Sequence, residues 1–427
     1  MTRPLRIAQV APPFERVPPR AYGGTERIVH GLVTELDRRG HEVTTFASGD
    51  SVVPGRHIET VSEALRPAGY TGESLPYMQL TMHEVLARVG EFDLIHSHLE
   101  WASLLLARVS PVPVVTTFHG RLDLPWAEGL FRQPPAGLVA ISQNQANTHP
   151  DVPWAAVVHN GLSLEAAPFG KRRNDALCFV GRVAPEKGIV EAIEIAQQAG
   201  RPLRIAAKVA PGGAERAYHD AVFQPALKAA GSSVEFLGEL DQADRDLLFA
   251  ESHASLMPGS WPEPFGLVAI EALACGTPVV ARRIGALPEI IREGVDGYFG
   301  DDVTSMAFVI DRVAELDRQA IRASVLERFS TTRMTDGYEI GLCPPAGRSG
   351  YGLTGRWRRR RRKDHPLRAT HIPPRRPTEC DGGGFLTIAG TDAPNRKDRD
   401  MPQDAWTDKR ERQYEHIKDL VRGARGG

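Results

Sequence analysis

Two carboxylates, Glu263 and Glu271, frame the run Glu263-Pro264-Phe265-Gly266-Leu267-Val268-Ala269-Ile270-Glu271. A helix over Phe265 to Cys275 places Glu263 just before its start and Glu271 about two turns inside, so both acids can face one ligand from a single element. With the N–H groups of Phe265, Gly266 and Leu267 beside them, such acids suit a hydroxyl-rich ligand. The competing reading makes Glu263 a partner of the helix dipole and Glu271 an exposed residue. Against it, Glu271 falls among Leu267, Ile270 and Ala274, where an unpaired carboxylate is costly.

Two further patterns stand where a strand turns into a helix. In Gly181-Arg182-Val183-Ala184-Pro185-Glu186-Lys187-Gly188, Pro185 suits a helix start and two cations flank it, a fork and a point charge that together can hold a phosphate or diphosphate. A solvated surface loop is the equal alternative on these residues alone. In Tyr22-Gly23-Gly24-Thr25-Glu26 the glycines let backbone approach a ligand and the next helix offers free N–H groups to an anion. Paired glycines are more commonly just a turn. His96, His98 and Glu100, if extended, fall on one side with metal-ligand character. A strand end facing the cleft, or a structural role, is the favoured reading.

The elements needed to position these groups are legible as an alternation. Arg6–Val10, His41–Ala47, Phe92–His96, Val112–Phe118, Leu138–Ile141 and Ala155–His159 read as strands, with a helix capped by Thr25 and ended by Gly40 after the first. Asn160 to Asp175 reads as a connection. A second series comes after it: strands at Ala176–Val180, Leu203–Lys208, Val234–Gly238, Ala254–Met257 and Thr277–Ala281, and helices at Glu186–Ala199, Asp241–Ser252, Phe265–Cys275 and Val303–Leu316. Alternating strands and helices predict parallel, doubly wound sheets. The fold class expected is therefore α/β, with two Rossmann-like domains over residues 1–165 and 166–342 facing a cleft. Ligands bind outside the carboxyl ends of such strands, which puts the site at the domain interface.

The 427 residues carry a net charge of −1, which hides a split. Residues 343–427 hold 20 Lys+Arg against 11 Asp+Glu, leaving 32 against 42 in residues 1–342. The tail includes Arg356-Trp357-Arg358-Arg359-Arg360-Arg361-Arg362-Lys363 and Pro- and Gly-rich runs, so it is expected to be an irregular, disordered basic segment. Such a run suits a nucleic acid or an anionic membrane. A solvated tail with no selected partner is preferred, and nucleic acid is not expected. Four scattered cysteines form no C-x-x-C pair, and no stretch approaches about 18 uninterrupted apolar residues. A cytoplasmic protein is expected.

Gly-Gly-Thr-Glu at 23–26, Gly-Arg-x-x-Pro-Glu-Lys-Gly at 181–188 and Glu-Pro-Phe-Gly-x-x-x-x-Glu-Ala at 263–272, in this order, resemble the GT-B retaining glycosyltransferases of family 4 over about residues 5–342. The resemblance implies transfer of a sugar from a nucleotide sugar to an acceptor hydroxyl with retention, without a metal ion or cofactor. It implies that Arg182 and Lys187 bind the donor diphosphate, that the backbone of Gly23 and Gly24 closes on it, and that Glu271 bonds the ribose. Glu263 and the N–H groups of Phe265, Gly266 and Leu267 would hold the sugar. His119, in Thr117-Phe118-His119-Gly120, matches the family histidine near the reaction centre. Nothing in the residue types identifies the acceptor, and a lipid acceptor or a peripheral membrane contact is left open. Two other readings are an epimerase of the same layout, acting on nucleotide sugar alone, and a degenerate binding protein.

One departure concerns the last helix. Family members continue past Tyr338 with a helix that crosses back to the first domain, whereas here Thr331–Leu342 begins such a helix and Cys343-Pro344-Pro345 stops it. Residues 406–419 weakly resemble the start of a small separate bacterial protein. The expectation is an altered or fused 3′ end of the reading frame, which puts domain closure in doubt.

Overall fold

Ile7, Ala8 and Val10 are buried in β1 (Arg6–Val10), the strand around which the first sheet is built. The computed structural model describes residues 4–20, 23–70, 72–170 and 174–342, and the basic tail lies outside the described residues. β1 pairs in parallel with β2 (Glu42–Ser48) on one side and β4 (Leu94–Ser97) on the other. With β3 (Arg56–Val61), β5 (Val114–Thr117), β6 (Leu138–Ala140) and β7 (Ala156–Val157) the order is β3-β2-β1-β4-β5-β6-β7. The second sheet is formed by β8 (Leu177–Arg182), β9 (Leu203–Lys208), β10 (Val234–Gly238), β11 (Ser255–Met257), β12 (Val279–Arg282) and β13 (Gly297–Gly300). Its order is β10-β9-β8-β11-β12-β13, again parallel. Chain order reverses between β1 and β4 and between β8 and β11, the switch points where α/β sheets open a crevice.

β3 and β13 escape a reading of apolar runs. β3 is an edge strand carrying Arg56, His57 and Glu59, and β13 is bracketed by Gly297 and Gly300, whose type disfavours strands. Two helix starts and one helix interior also differ from expectation. Gly23, not Thr25, is the N-cap of the Gly24–Arg38 helix, so Gly24 and Thr25 lie in its first turn. Pro185 opens a 3-10 turn (Pro185–Lys187), and the helix begins only at Ile189. Between them Gly188 adopts φ 72°, and a Cβ there would meet Gly259 N at 2.8 Å, so the turn closes on the 258–259 backbone only with glycine. The helix expected over Val303–Leu316 is broken into Val303–Val309 and a 3-10 turn, Asp311–Glu315.

The two sheets share an apolar cluster. Ile28, Val29, Leu32 and Val33 of the Gly24–Arg38 helix belong to the same buried group as Ile270, Leu273, Phe329, Met334 and Tyr338. The Thr331–Leu342 helix crosses back onto the first sheet even though Cys343-Pro344-Pro345 comes directly after it in the chain. It packs against the Gly24–Arg38 helix and β7. Arg39 bonds Glu339 at 2.7 Å and Asp336 at 2.8 Å, and His41 bonds Glu339 at 3.0 Å.

Candidate active site

A cavity of about 500 Å3 lies between the sheets at the carboxyl ends of β1, β4 and β8. All ten residues singled out from sequence line it: Gly23, Gly24 and His119 from the first half, and Arg182, Lys187, Glu263, Phe265, Gly266, Leu267 and Glu271 from the second.

On the second half the charged groups are paired with one another. Arg182, the last residue of β8, bonds Glu186 at 3.1 Å and also pairs with Glu215. Lys187 pairs with Glu263 and lies 5.8 Å from the centroid of the Trp261 ring. Arg121 of the first half stacks its guanidinium over the same ring at 4.6 Å. Gly266, with φ 113°, caps a helix that starts at Leu267 rather than Phe265. Glu271 is thus the fifth helical residue, little more than one turn from the start; of the first-turn N–H groups, that of Ala269 bonds the Gly266 carbonyl at 3.0 Å, while Leu267 and Val268, which line the cavity, have no intrahelical acceptor. The Glu271 carboxylate is 4% exposed and is not left unpaired: Arg27 pairs with it from across the cleft, and Arg245 Nη2 donates to it at 3.0 Å.

On the first half, β5 ends at Thr117 and the chain turns through buried Phe118 to His119. Glu100 Oε1 accepts the N–H groups of His119 (2.9 Å) and Gly120 (3.1 Å), and Gln145 Nε2 donates to the Phe118 and Gly120 carbonyls. Burial pushes the Glu100 carboxyl up to about 7 against the pull of those two amides. His96 and His98 lie ring against ring, with centroids 4.2 Å apart, but Glu100 does not join them as an extended strand would have it, and among the described residues the three form no metal-ligand group. β4 stops at Ser97, Glu100 has φ 53°, and each group has its own partners. His96 Nε2 meets Thr117 Oγ1 at 2.8 Å, and His98 Nδ1 meets His119 Nε2 at 2.9 Å. Burial lowers His96 to about 3 and His119 to about 4; it holds His98 well below 6.5, assisted by the two neighbouring rings. All three are neutral near pH 7.

The halves are also held together beside the cavity. Ser142 Oγ donates to the Pro264 carbonyl at 2.7 Å, tying the Glu-Pro-Phe-Gly turn to the first half. Glu289 of the second half accepts the N–H groups of Gln143 (2.8 Å) and Asn144 (2.7 Å) and bonds His159 Nε2 at 2.8 Å.

Sequence reasoning missed Arg27, Arg245, Gln145, Ser142 and Glu289, because each acts on a partner more than 20 positions away. Arg27 alone had a signal, one turn beyond Gly24 on the same helix face. Glu26, quoted in the first motif but given no role there, lines the cavity at 4% exposure and is pushed up to about 7 by burial. Asp244-Arg245-Asp246 has the spacing of an acidic metal motif. It lies inside the Gln242–Glu251 helix, where residues two apart do not face each other.

Residues 22–166 match the family Glycosyltransferase Family 4, and residues 166–323 match Glycosyl transferases group 1. A glycogen synthase of Mycobacterium tuberculosis is 29% identical, covering 75% of this chain and 89% of that protein. A D-inositol 3-phosphate glycosyltransferase of Mycobacterium avium is 30% identical, covering 72% of this chain and 85% of that protein. Among solved structures, AviGT4, a glycosyltransferase involved in avilamycin A biosynthesis, superposes with a TM-score of 0.58 at 24% identity, over 79% of this chain and 97% of that one. HepE of Anabaena, in complex with UDP and glucose, gives 0.60 at 20% identity, over 78% and 97%. At these identities the solved structures speak for the two-sheet fold alone. No helix among the described residues is long and apolar enough to cross a membrane.

Proposed function

The chain belongs to the family 4 glycosyltransferases, and from that premise we propose that it transfers a hexosyl group from a nucleoside diphosphate sugar to an acceptor hydroxyl, with retention of anomeric configuration and without a metal ion. The observation that carries this reading is the convergence of ten residues from three separate motifs and one strand end on a single interdomain cavity. The diphosphate takes the place of Glu186 and Glu215 on Arg182 and of Glu263 on Lys187. Exchange at Lys187 frees Glu263 to bond sugar hydroxyls beside the N–H groups of Phe265, Gly266 and Leu267. Glu271 turns to the ribose, and the backbone of Gly23 and Gly24 closes over the phosphates.

As the bond from the anomeric carbon to the diphosphate breaks, negative charge grows on the leaving oxygens. Two fixed cations and a helix N-terminus then stabilise the transition state more than the ground state, the role a divalent cation fills elsewhere. The acceptor hydroxyl forms its new bond on the face the diphosphate leaves, and its proton passes to the departing phosphate oxygen. Glu263 positions the sugar in this scheme. His119 stands on the opposite wall.

A thermal-shift panel of UDP, GDP and ADP on the wild type and on an Arg182→Ala, Lys187→Ala double variant tests the donor site. A nucleotide at 100 times its dissociation constant adds about 2.7 kcal/mol of stability. One nucleotide should stabilise only the wild type, and that nucleotide names the base. Stabilisation of neither protein by any of the three would overturn the reading. Turnover is then followed by NMR of the anomeric proton with and without acceptor, in the presence of EDTA. Retained configuration that requires acceptor is expected, and product formed without acceptor would favour an epimerase.

A further inference from the structure

Gln9, in the middle of β1, is fully buried between two histidines, and both polar atoms of its side chain are engaged. Its Nε2 lies 3.2 Å from His96 Nδ1, and its Oε1 lies 3.1 Å from His98 Nε2. An amide nitrogen only donates and an amide oxygen only accepts, so with the Gln9 amide turned this way the contacts assign protons, and the opposite turn would reverse each assignment. His96 Nδ1 must hold a lone pair. The His96 proton therefore sits on Nε2, which donates to Thr117 Oγ1 at 2.8 Å, and that hydroxyl in turn meets Tyr338 OH at 2.9 Å. On the other side, His98 Nε2 must carry hydrogen to reach Gln9 Oε1, which leaves His98 Nδ1 as an acceptor. The atom facing it at 2.9 Å is His119 Nε2, which therefore donates. A neutral imidazole has one proton, so His119 Nδ1 has none, and it has no partner among the described residues.

We propose that Gln9 is a positioning residue that sets the tautomer of His119, so that His119 offers the cavity an unprotonated Nδ1 that accepts a hydrogen bond from a sugar hydroxyl. The tautomer stands on the geometry of the buried chain alone. The sugar hydroxyl rests on the transferase reading. A device of this kind suits the location: the orienting amide sits two residues away in a hydrogen-bonded relay, shielded from water, where an unmatched donor or acceptor carries its full desolvation cost. It also links His119 to Tyr338, so the docked Thr331–Leu342 helix closes the far end of the relay.

The test is long-range 1H–15N spectroscopy of the histidine rings in the full chain, assigned through single His→Asn variants. In the wild type all three rings should carry hydrogen on Nε2. In Gln9→Glu the carboxylate accepts from both sides, so His96 alone should move its proton to Nδ1. In Gln9→Leu the His98 Nε2–H loses its acceptor. Its proton should move to Nδ1 and donate to His119 Nε2, turning His119 into the Nδ1–H form while His96 stays unchanged. With sugar nucleotide, kcat/KM should fall about tenfold in Gln9→Leu. It should stay within about twofold of wild type in Gln9→Glu, the scale of a hydrogen-bonding pattern kept intact. A nucleoside diphosphate alone should bind both variants as it binds the wild type. An Nδ1–H His119 in the wild type, or an unmoved His119 in Gln9→Leu, would overturn the proposal. If Gln9→Leu does not fold, the wild-type spectrum and the selective shift of His96 in Gln9→Glu decide it. Correct tautomers without turnover would count against the transferase reading and not against the relay.

Discussion

Arg27 and Glu271, 244 positions apart in the chain and carried by different halves of the molecule, form an ion pair across the cleft, with side chains 14% and 4% exposed. Arg245 adds a second guanidinium to the same carboxylate. Glu271→Ala would leave both arginines part-buried without their bonded carboxylate, with Asp246 as a nearby anion, and breaking a buried pair from one side costs about 3 kcal/mol. Urea unfolding of the variant should show a loss of that size, together with disappearance of the nucleotide-induced thermal shift. A variant as stable as the wild type would show that the pair is screened and contributes nothing.

Gly24 faces Leu267 from the opposite wall, and a Cβ added at Gly24 would sit 3.1 Å from Leu267 Cδ1. The methyl can give by a few tenths of an ångström, so Gly24→Ala should leave the melting temperature within about 2 °C of wild type, a change of well under 1 kcal/mol. It should raise KM for the sugar nucleotide several-fold by holding the walls apart. Shortening the neighbour in Gly24→Ala, Leu267→Ala should recover part of the loss. An unaltered KM in the single variant would remove Gly24 from the donor site.

Glu289 fastens the two halves through the Gln143 and Asn144 amides and His159. Burial pushes its carboxyl up, but the His159 and amide hydrogen bonds outweigh that and leave it below the usual range. A carboxyl lowered on folding stabilises above its unfolded value near 4.3, and that contribution fades as pH falls through the folded value. Glu289→Ala should therefore cost stability at pH 7 and lose its effect in strong acid. Denaturation series at both pH values test this, and an equal difference at each would refute it.

Glu100 has the opposite sign. Its folded value of about 7 lies above the unfolded value near 4.3, so its contribution is present in full below about 4.3 and is lost as pH rises through 7. Glu100→Gln keeps an acceptor oxygen for the His119 and Gly120 amides and cannot ionise. Relative to the wild type, the variant should gain roughly 2 to 3 kcal/mol between pH 5 and pH 9. A difference that does not change with pH would place the carboxyl in water.

Much of this molecule could be read along the chain. Eleven of the thirteen strands follow from β-branched runs between helical periods, because a parallel strand buried on both faces must be apolar throughout. β3 and β13 break that rule by being an edge and a glycine-bracketed strand. The ten cavity residues were legible because three motifs stand at strand-to-helix turns, with Glu271 one turn inside the helix of the third, and His119 lies just past a strand end in a stretch that matches the family; in doubly wound sheets such turns gather at one end. Folding added the pairing of charges and the placement of protons. That Glu271 answers to Arg27 and Arg245, that Lys187 rests on Glu263, and that His96 and His98 flank Gln9 rather than form a ligand cluster depend on contacts between distant segments. Local spacing governs which face a side chain takes within its own element; the identity of the group across the cavity is settled by how the two sheets and the returning Thr331–Leu342 helix pack, through buried apolar contacts that no short window of sequence contains.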